Sequence, residues 1–197
     1  MPIEDLGPAV TRVWNDLRST TRNLVERAWQ SINSPHAQLP VAYDPKADAE
    51  LIRLLETLDA QPSQSTDSAA ALGSRRLAEV CSNVLMQQTQ SAEVFARLIE
   101  RAHERNDYHR VDAIAEKISE RLAPSEICEL ARSNNVVVRA LAQETLTGMP
   151  TSLLMGLLRD PVDAPVAHAA LERQALEYGS AEAKQGLRDF EDFKMDY

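Results

Sequence analysis

Glycine is scarce and scattered in this chain of 197 residues. Gly7, Gly73, Gly148, Gly156, Gly179 and Gly186 never fall within six residues of one another. That spacing excludes a phosphate-cradling loop, a Walker motif and a dinucleotide fingerprint. Cysteine is almost absent: Cys81 and Cys128 stand alone, with no CxxC and no histidine at ligand spacing. Both lie among aliphatic residues and read as small buried hydrophobes, as expected of a chain from a reducing compartment. Aromatic residues make up 5%. Between Pro45 and Glu177 only Phe95 and Tyr108 occur, too few for a base-stacking platform or a cofactor cage. Excess positive charge is lacking as well. Twenty-one Lys and Arg face 30 Asp and Glu, a formal charge of −9, which argues against nucleic-acid binding. No apolar run approaches a membrane span, and the start, Met1-Pro2-Ile3-Glu4-Asp5, lacks the basic and apolar regions of a secretory signal. A cytoplasmic location is the expectation.

What the chain does have is helical periodicity almost everywhere. No segment alternates apolar with polar residues long enough to predict a strand, so the expected class is all-α. Val10, Val13, Trp14, Leu17, Thr21, Leu24, Val25, Ala28, Trp29 and Ile32 recur by threes and fours and predict one amphipathic helix from about Pro8 to Ile32. A linker with Pro35, Pro40 and Pro45 follows, so residues 1–43 are expected to form a helix plus linker and 44–197 a helical domain, unless 1–197 is continuous. Asp44-Pro45, Ser91, Asp107, Asn135 and Ser180 read as helix starts. Gly148 and Gly179 read as ends, Gly148 with a left-handed C-cap. Roughly nine helices result.

The last third compares well with itself. A shift of 30 lays Val136 on Val166, Ala140 on Ala170, Leu141 on Leu171, Leu146 on Leu176 and Leu157 on Leu187. A fainter copy aligns Val111 and Ala115 with Val138 and Ala142 at a shift of 27. One helical hairpin cannot bury its apolar face alone, so stacked copies would share a core. The run Asn135-Val-Val-Val138-Arg139-Ala-Leu-Ala142…Leu146 resembles the second helix of a HEAT-type repeat, as in uncharacterised bacterial HEAT-like families. Pro150…Leu157-Leu158-Arg159-Asp160-Pro161 resembles the first helix of the next repeat, and Asp163-Ala-Pro-Val166-Ala167 repeats the pattern with alanine in place of arginine. The resemblance covers about residues 107–190. It implies antiparallel hairpins stacked as a short right-handed α-solenoid with close-packed alanines, Arg and Asp bridging neighbouring units, and most often a protein-binding scaffold.

Chemistry-bearing clusters are few. Glu100-x-x-His103-Glu104…Asp107-x-His109-x-x-Asp112 is the most suggestive. A Glu-x-x-His pair can present two metal ligands on one helical face, but di-iron sites need two such pairs and only one occurs. The plainer reading is a solvated helix end neutralised by Arg101 and Arg105. No cofactor, metal or catalytic residue is assigned. Surfaces are better candidates for function. Trp14 and Trp29 lie on the N-terminal stripe, which could cap the repeats, pair as a helical homodimer or lie on a membrane. A surplus of two positive charges over residues 8–33 is weak for the last of these. Arg139 is a candidate through the HEAT pattern, and Phe190, Phe193 and Tyr197 form a C-terminal stripe opposite acids that reads first as core closure and otherwise as a docking motif for a partner. The leading expectation is a non-enzymatic protein–protein scaffold whose partner carries basic patches. The alternative is a lyase-like or hydrolytic enzyme on the same scaffold, with its site near His103 and His109.

Overall fold

The computed structural model describes residues 3–31, 44–61 and 69–195, and among them every regular element is helical. After a 3-10 turn at Glu4–Leu6 come α1 (Pro8–Asp16), α2 (Ser19–Ser31), α3 (Pro45–Asp59) and α4 (Ala69–Gln88). Seven more follow: α5 (Ala92–Glu104), α6 (Tyr108–Arg121), α7 (Pro124–Ala131), α8 (Val136–Thr147), α9 (Thr151–Leu157), α10 (Ala164–Leu176) and α11 (Ala181–Met195). Contacts gather into two compact units, Met1–Gln90 and Ser91–Tyr197. The expected boundary at residue 43 falls at the edge of a stretch outside the described residues, which takes in Ile32, Pro35 and Pro40, while Pro45 opens α3. On either side of that stretch, α1 packs on α3, and α2 on α4 and α3, within the first unit.

The helix expected from Pro8 to Ile32 is two helices. Leu17 takes extended backbone (φ −65°, ψ 145°) between α1 and α2. Apolar spacing continues across the break, with Leu17 buried beside Val13, Trp14 and Thr21, so periodicity does not register it. Ser19, Thr20 and Thr21 are poor interior helix residues, and the interruption is held from α3. The Arg18 amide donates to Glu50 Oε1 at 3.4 Å, and Arg18 Nε donates to the same oxygen at 2.9 Å. The Thr21 hydroxyl donates to Glu50 Oε2, and Arg18 Nη2 lies 2.9 Å from Asp44. Burial pushes the Glu50 carboxyl up, but the Thr21 hydroxyl, the Arg18 guanidinium and the Arg18 amide outweigh it and hold Glu50 below its usual range. A depressed carboxylate stabilises the fold above its unfolded pKa, and that contribution is lost as pH falls through the folded value. Glu50→Gln should therefore narrow the gap between urea midpoints at about pH 7 and about pH 3, read by tryptophan fluorescence. An unchanged gap would remove Glu50 from the acid sensitivity of this unit.

Two glutamines tie turns to helices. In the first unit the Gln61 amide donates to the Leu6 carbonyl and accepts from Ser74 Oγ at 3.0 Å, fastening the 3-10 turn to α4. In the second, Gln174 on α10 is buried and holds the α8–α9 turn. Its Nε2 donates to the carbonyls of Thr147 (2.9 Å) and Met149 (2.6 Å), while its Oε1 accepts from Thr151 Oγ1 at 3.0 Å. This corrects the expectation at Gly148, which is right-handed at φ −79°. Carbonyls at the end of α8 are satisfied by Gln174, so no left-handed residue is needed there. Gly179 does turn left-handed, at φ 67°, and Ser180 N then reaches the Gln174 carbonyl at 3.0 Å. Asn106, at φ 56°, plays the same part after α5.

Helix starts follow their capping residues. Asn135 Oδ1 accepts from the amides of Val137 and Val138, Asp107 from Arg110, Asp44 from Lys46 and Ser180 from Ala183. Within the second unit, α5 packs with α6, α7 with α8, and α9 with α10. In addition α6, α8 and α10 contact one another in succession, as do α5, α7, α9 and α11. Phe95, Ile99, Ile114, Ile118, Ile127, Leu146 and Leu154 fill the core between these two rows. Ala142 and Ala167 are fully buried in α8 and α10, where a small side chain lets the helices approach.

The 30-residue register needs revision by one. It pairs Leu146, fully buried, with Leu176, which is 82% exposed. A shift of 29 instead pairs Val138 with Ala167, Ala142 with Leu171, Leu146 with Ala175 and Leu154 with Ala183, all buried. One residue on a helix is a rotation of about 100°, enough to turn a core position towards solvent.

Candidate functional surfaces

Trp14 is buried in the first unit, where it belongs to the packing of α1. Trp29 on α2 is half-buried, and the Arg76 guanidinium of α4 lies 4.8 Å from its ring centroid, a cation–π contact between two packed helices. Both tryptophans thus serve the cohesion of α1 and α2 with their own unit. A shallow open depression lined by Ala9, Arg53, Glu56, Thr57, Ala60 and Gln61 lies on the same unit.

Arg139 is half-buried and turned inward. Its Nη1 donates to the carbonyls of Ser133 at 2.7 Å and Asn134 at 3.5 Å, capping the turn inside its own hairpin. The link between neighbouring hairpins is made by Arg132 instead, at the end of α7. Arg132 Nη1 donates to Asp163 Oδ1 at 2.7 Å and to the Val162 carbonyl at 3.2 Å, just before α10. The Asp163 side chain is only 6% exposed. Burial first, then the Asp163 charge, push the nearby Cys128 thiol up to about 11, so it stays protonated and unreactive at neutral pH. Arg132 was legible only as the last residue of a short helix, since its partner lies 31 positions away.

Phe190 is half-buried on α11. Phe193 belongs to the same helix, but its side chain, like Tyr197, lies outside the described residues. His103 and His109 are both exposed, at the end of α5 and the start of α6. Among the described residues no three His, Cys, Asp or Glu side chains gather to hold a metal ion. Nor is any described helix long and apolar enough to cross a membrane.

A different surface emerges on the row α6, α8 and α10. Its side away from α5, α7 and α9 is solvated. The exposed residues of α6 include Asp112, Glu116 and Glu120; those of α8 are Val136, Ala140, Gln143 and Glu144; those of α10 are Pro165, Ala169, Glu172 and Leu176. Five of these are acids, and none is Lys or Arg. Every Lys and Arg in the three helices is engaged within the chain. Lys117 pairs with Glu120 at 2.5 Å, Arg173 with Glu177 at 3.3 Å, and Arg139 with its turn; Arg110 and Arg121 have partners too. Arg173 is held above its usual pKa chiefly by its hydrogen bond and charge pairing with Glu177. Comparison with protein-family models, with curated proteins and with solved structures gives no match for this chain.

Proposed function

We propose that the second unit is a short right-handed HEAT-like α-solenoid that binds another protein, and that the chain acts as a non-enzymatic scaffold. One observation carries this reading: each hairpin packs on the next in two parallel rows, leaving one whole row, α6, α8 and α10, with a continuous solvated side. Stacked hairpins yield an extended surface of this kind, and such surfaces suit the recognition of other chains. The buried alanines of α8 and α10 and the Arg132–Asp163 link between hairpins support the resemblance to HEAT-type repeats. A cytoplasmic setting belongs to the same proposal and rests on the acidic balance and on two buried cysteines.

The test uses the full chain, because α1 and α2 bury Trp14, Leu24 and Val25 against the rest of the first unit and their removal would expose its core. The complex captured from source cells would be footprinted by hydroxyl radicals, bound against free. Protection concentrated on the outward residues of α6, α8 and α10 is expected. Protection confined to the first unit would overturn the assignment.

A further inference from the structure

We infer that the ligand of the α6–α8–α10 surface is a basic amphipathic helix of a partner protein. The inference rests on the scaffold reading above and names the chemistry of its partner. Acids alone would be ordinary on a chain of net charge −9. The juxtaposition of two unlike strips is what selects an occupant.

The first strip is on α6, where Asp112, Glu116 and Glu120 follow one another at four-residue intervals and are all exposed. Like charges at that spacing repel along a helix. Lys117 relieves only Glu120, so a cation arriving from outside would be attracted to Asp112 and Glu116. The second strip is apolar and lies on the next helices of the row. Val136 is 67% exposed and Ala140 follows one turn later on α8; Pro165, Ala169 and Leu176, the last 82% exposed, share the outward side of α10. With Glu144 and Glu172 set into it, this strip stays acidic at its margins. The cations beside the strips, Lys117 on α6 and Arg173 on α10, are each paired with an acid of their own helix end, Glu120 and Glu177.

A helix with leucine-like residues on one stripe and Lys or Arg beside it matches both strips at once. Helix-in-groove recognition of this sort reads anchors at i, i+3, i+4 and i+7. The twelve residues of α8 span about 18 Å, which accommodates roughly three turns of a bound helix. An acidic or wholly polar segment would meet repulsion on α6 and leave the apolar strip in water.

The experiment is fluorescence anisotropy on the full-length protein with a 14-residue peptide of Lys and Leu patterned as an amphipathic helix. Two control peptides accompany it, one of the same composition scrambled to erase the stripe and one with Glu for every Lys. Only the amphipathic basic peptide should bind, and less tightly as salt rises. Asp112→Lys with Glu116→Lys should weaken it by about tenfold or more, and Asp112→Asn with Glu116→Gln by a smaller factor. Leu176→Ser with Val136→Ser should weaken it by about fivefold. Glu93→Lys with Glu104→Lys, on α5, should leave it unchanged. Equal binding of the scrambled peptide, or equal loss with the α5 variant, would reduce the effect to net charge and overturn the inference. Failure of the peptide to bind, with α6, α8 and α10 still protected in the captured complex, would overturn the partner chemistry and leave the scaffold reading standing. If the protein dimerises in sedimentation and Leu176→Ser dissolves the dimer, the occupant is a second copy and the inference likewise fails.

Discussion

Replacing Gln174 with alanine is expected to destabilise the second unit by about 3 kcal/mol. The side chain is buried and makes three hydrogen bonds across two junctions: two to the carbonyls of Thr147 and Met149, one from the Thr151 hydroxyl. Its loss strands two carbonyls that end α8 and a hydroxyl that begins α9, and it leaves a void under α10. Each unpaired buried group costs about 1–3 kcal/mol. Gln174→Leu would restore volume but not the bonds, and should recover little. Both tryptophans, Trp14 and Trp29, lie in the first unit, so fluorescence follows that unit while far-UV circular dichroism follows both. The urea midpoint by dichroism should fall in Q174A with the fluorescence midpoint unmoved. An unchanged dichroism transition would show that water replaces the glutamine without cost. A parallel fall in fluorescence would show that the two units unfold together.

The second large effect is expected at Arg132. Arg132→Met removes the cation bonded to Asp163, whose carboxylate is nearly inaccessible to water. Deleting one partner of a buried pair leaves an uncompensated charge, a loss of about 3–5 kcal/mol for full burial. Because the Arg132 side chain is 37% exposed, water can enter in its place, and about 2 kcal/mol is the expected loss. Asp163→Asn in the same protein should return a good part of it, since the stranded charge disappears. A double-mutant cycle on the dichroism midpoints measures the coupling. Coupling near zero would mean that the contact contributes nothing to holding α7 to the start of α10. A large coupling would identify it as the main polar link between successive hairpins, the part that the resemblance to HEAT repeats gave to the pattern arginine, Arg139, which instead caps its own turn.

Much of the fold was legible because it depends on neighbours in sequence. Asp44, Ser91, Asp107 and Asn135 cap helices through amides two or three residues on, so their roles are written locally. Burial of Leu51, Leu54, Leu55 and Leu58, or of Ile114 and Ile118, follows from the 3.6-residue period. The candidate surface was far less legible. Its strips come from three helices separated by some thirty residues each, and a one-residue error in the repeat register turns Leu176 from core into surface. Trp14 and Trp29 drew attention as large residues on a stripe, yet the same stripe is what α1 and α2 use to pack on α3 and α4.

The amino-acid sequence by itself determined the helical class, most helix starts and the acidic balance, because propensity, capping and charge act over a few residues. Only the tertiary structure decided where the first helix breaks, how α8 ends, which arginine joins the hairpins and which acids remain exposed. Glu50 reaches back 32 positions to Arg18, Gln174 back 27 to Thr147, and Arg132 forward 31 to Asp163. Each of these is a polar contact made only after the helices have packed, when a buried donor or acceptor must find whatever partner the fold has brought within reach.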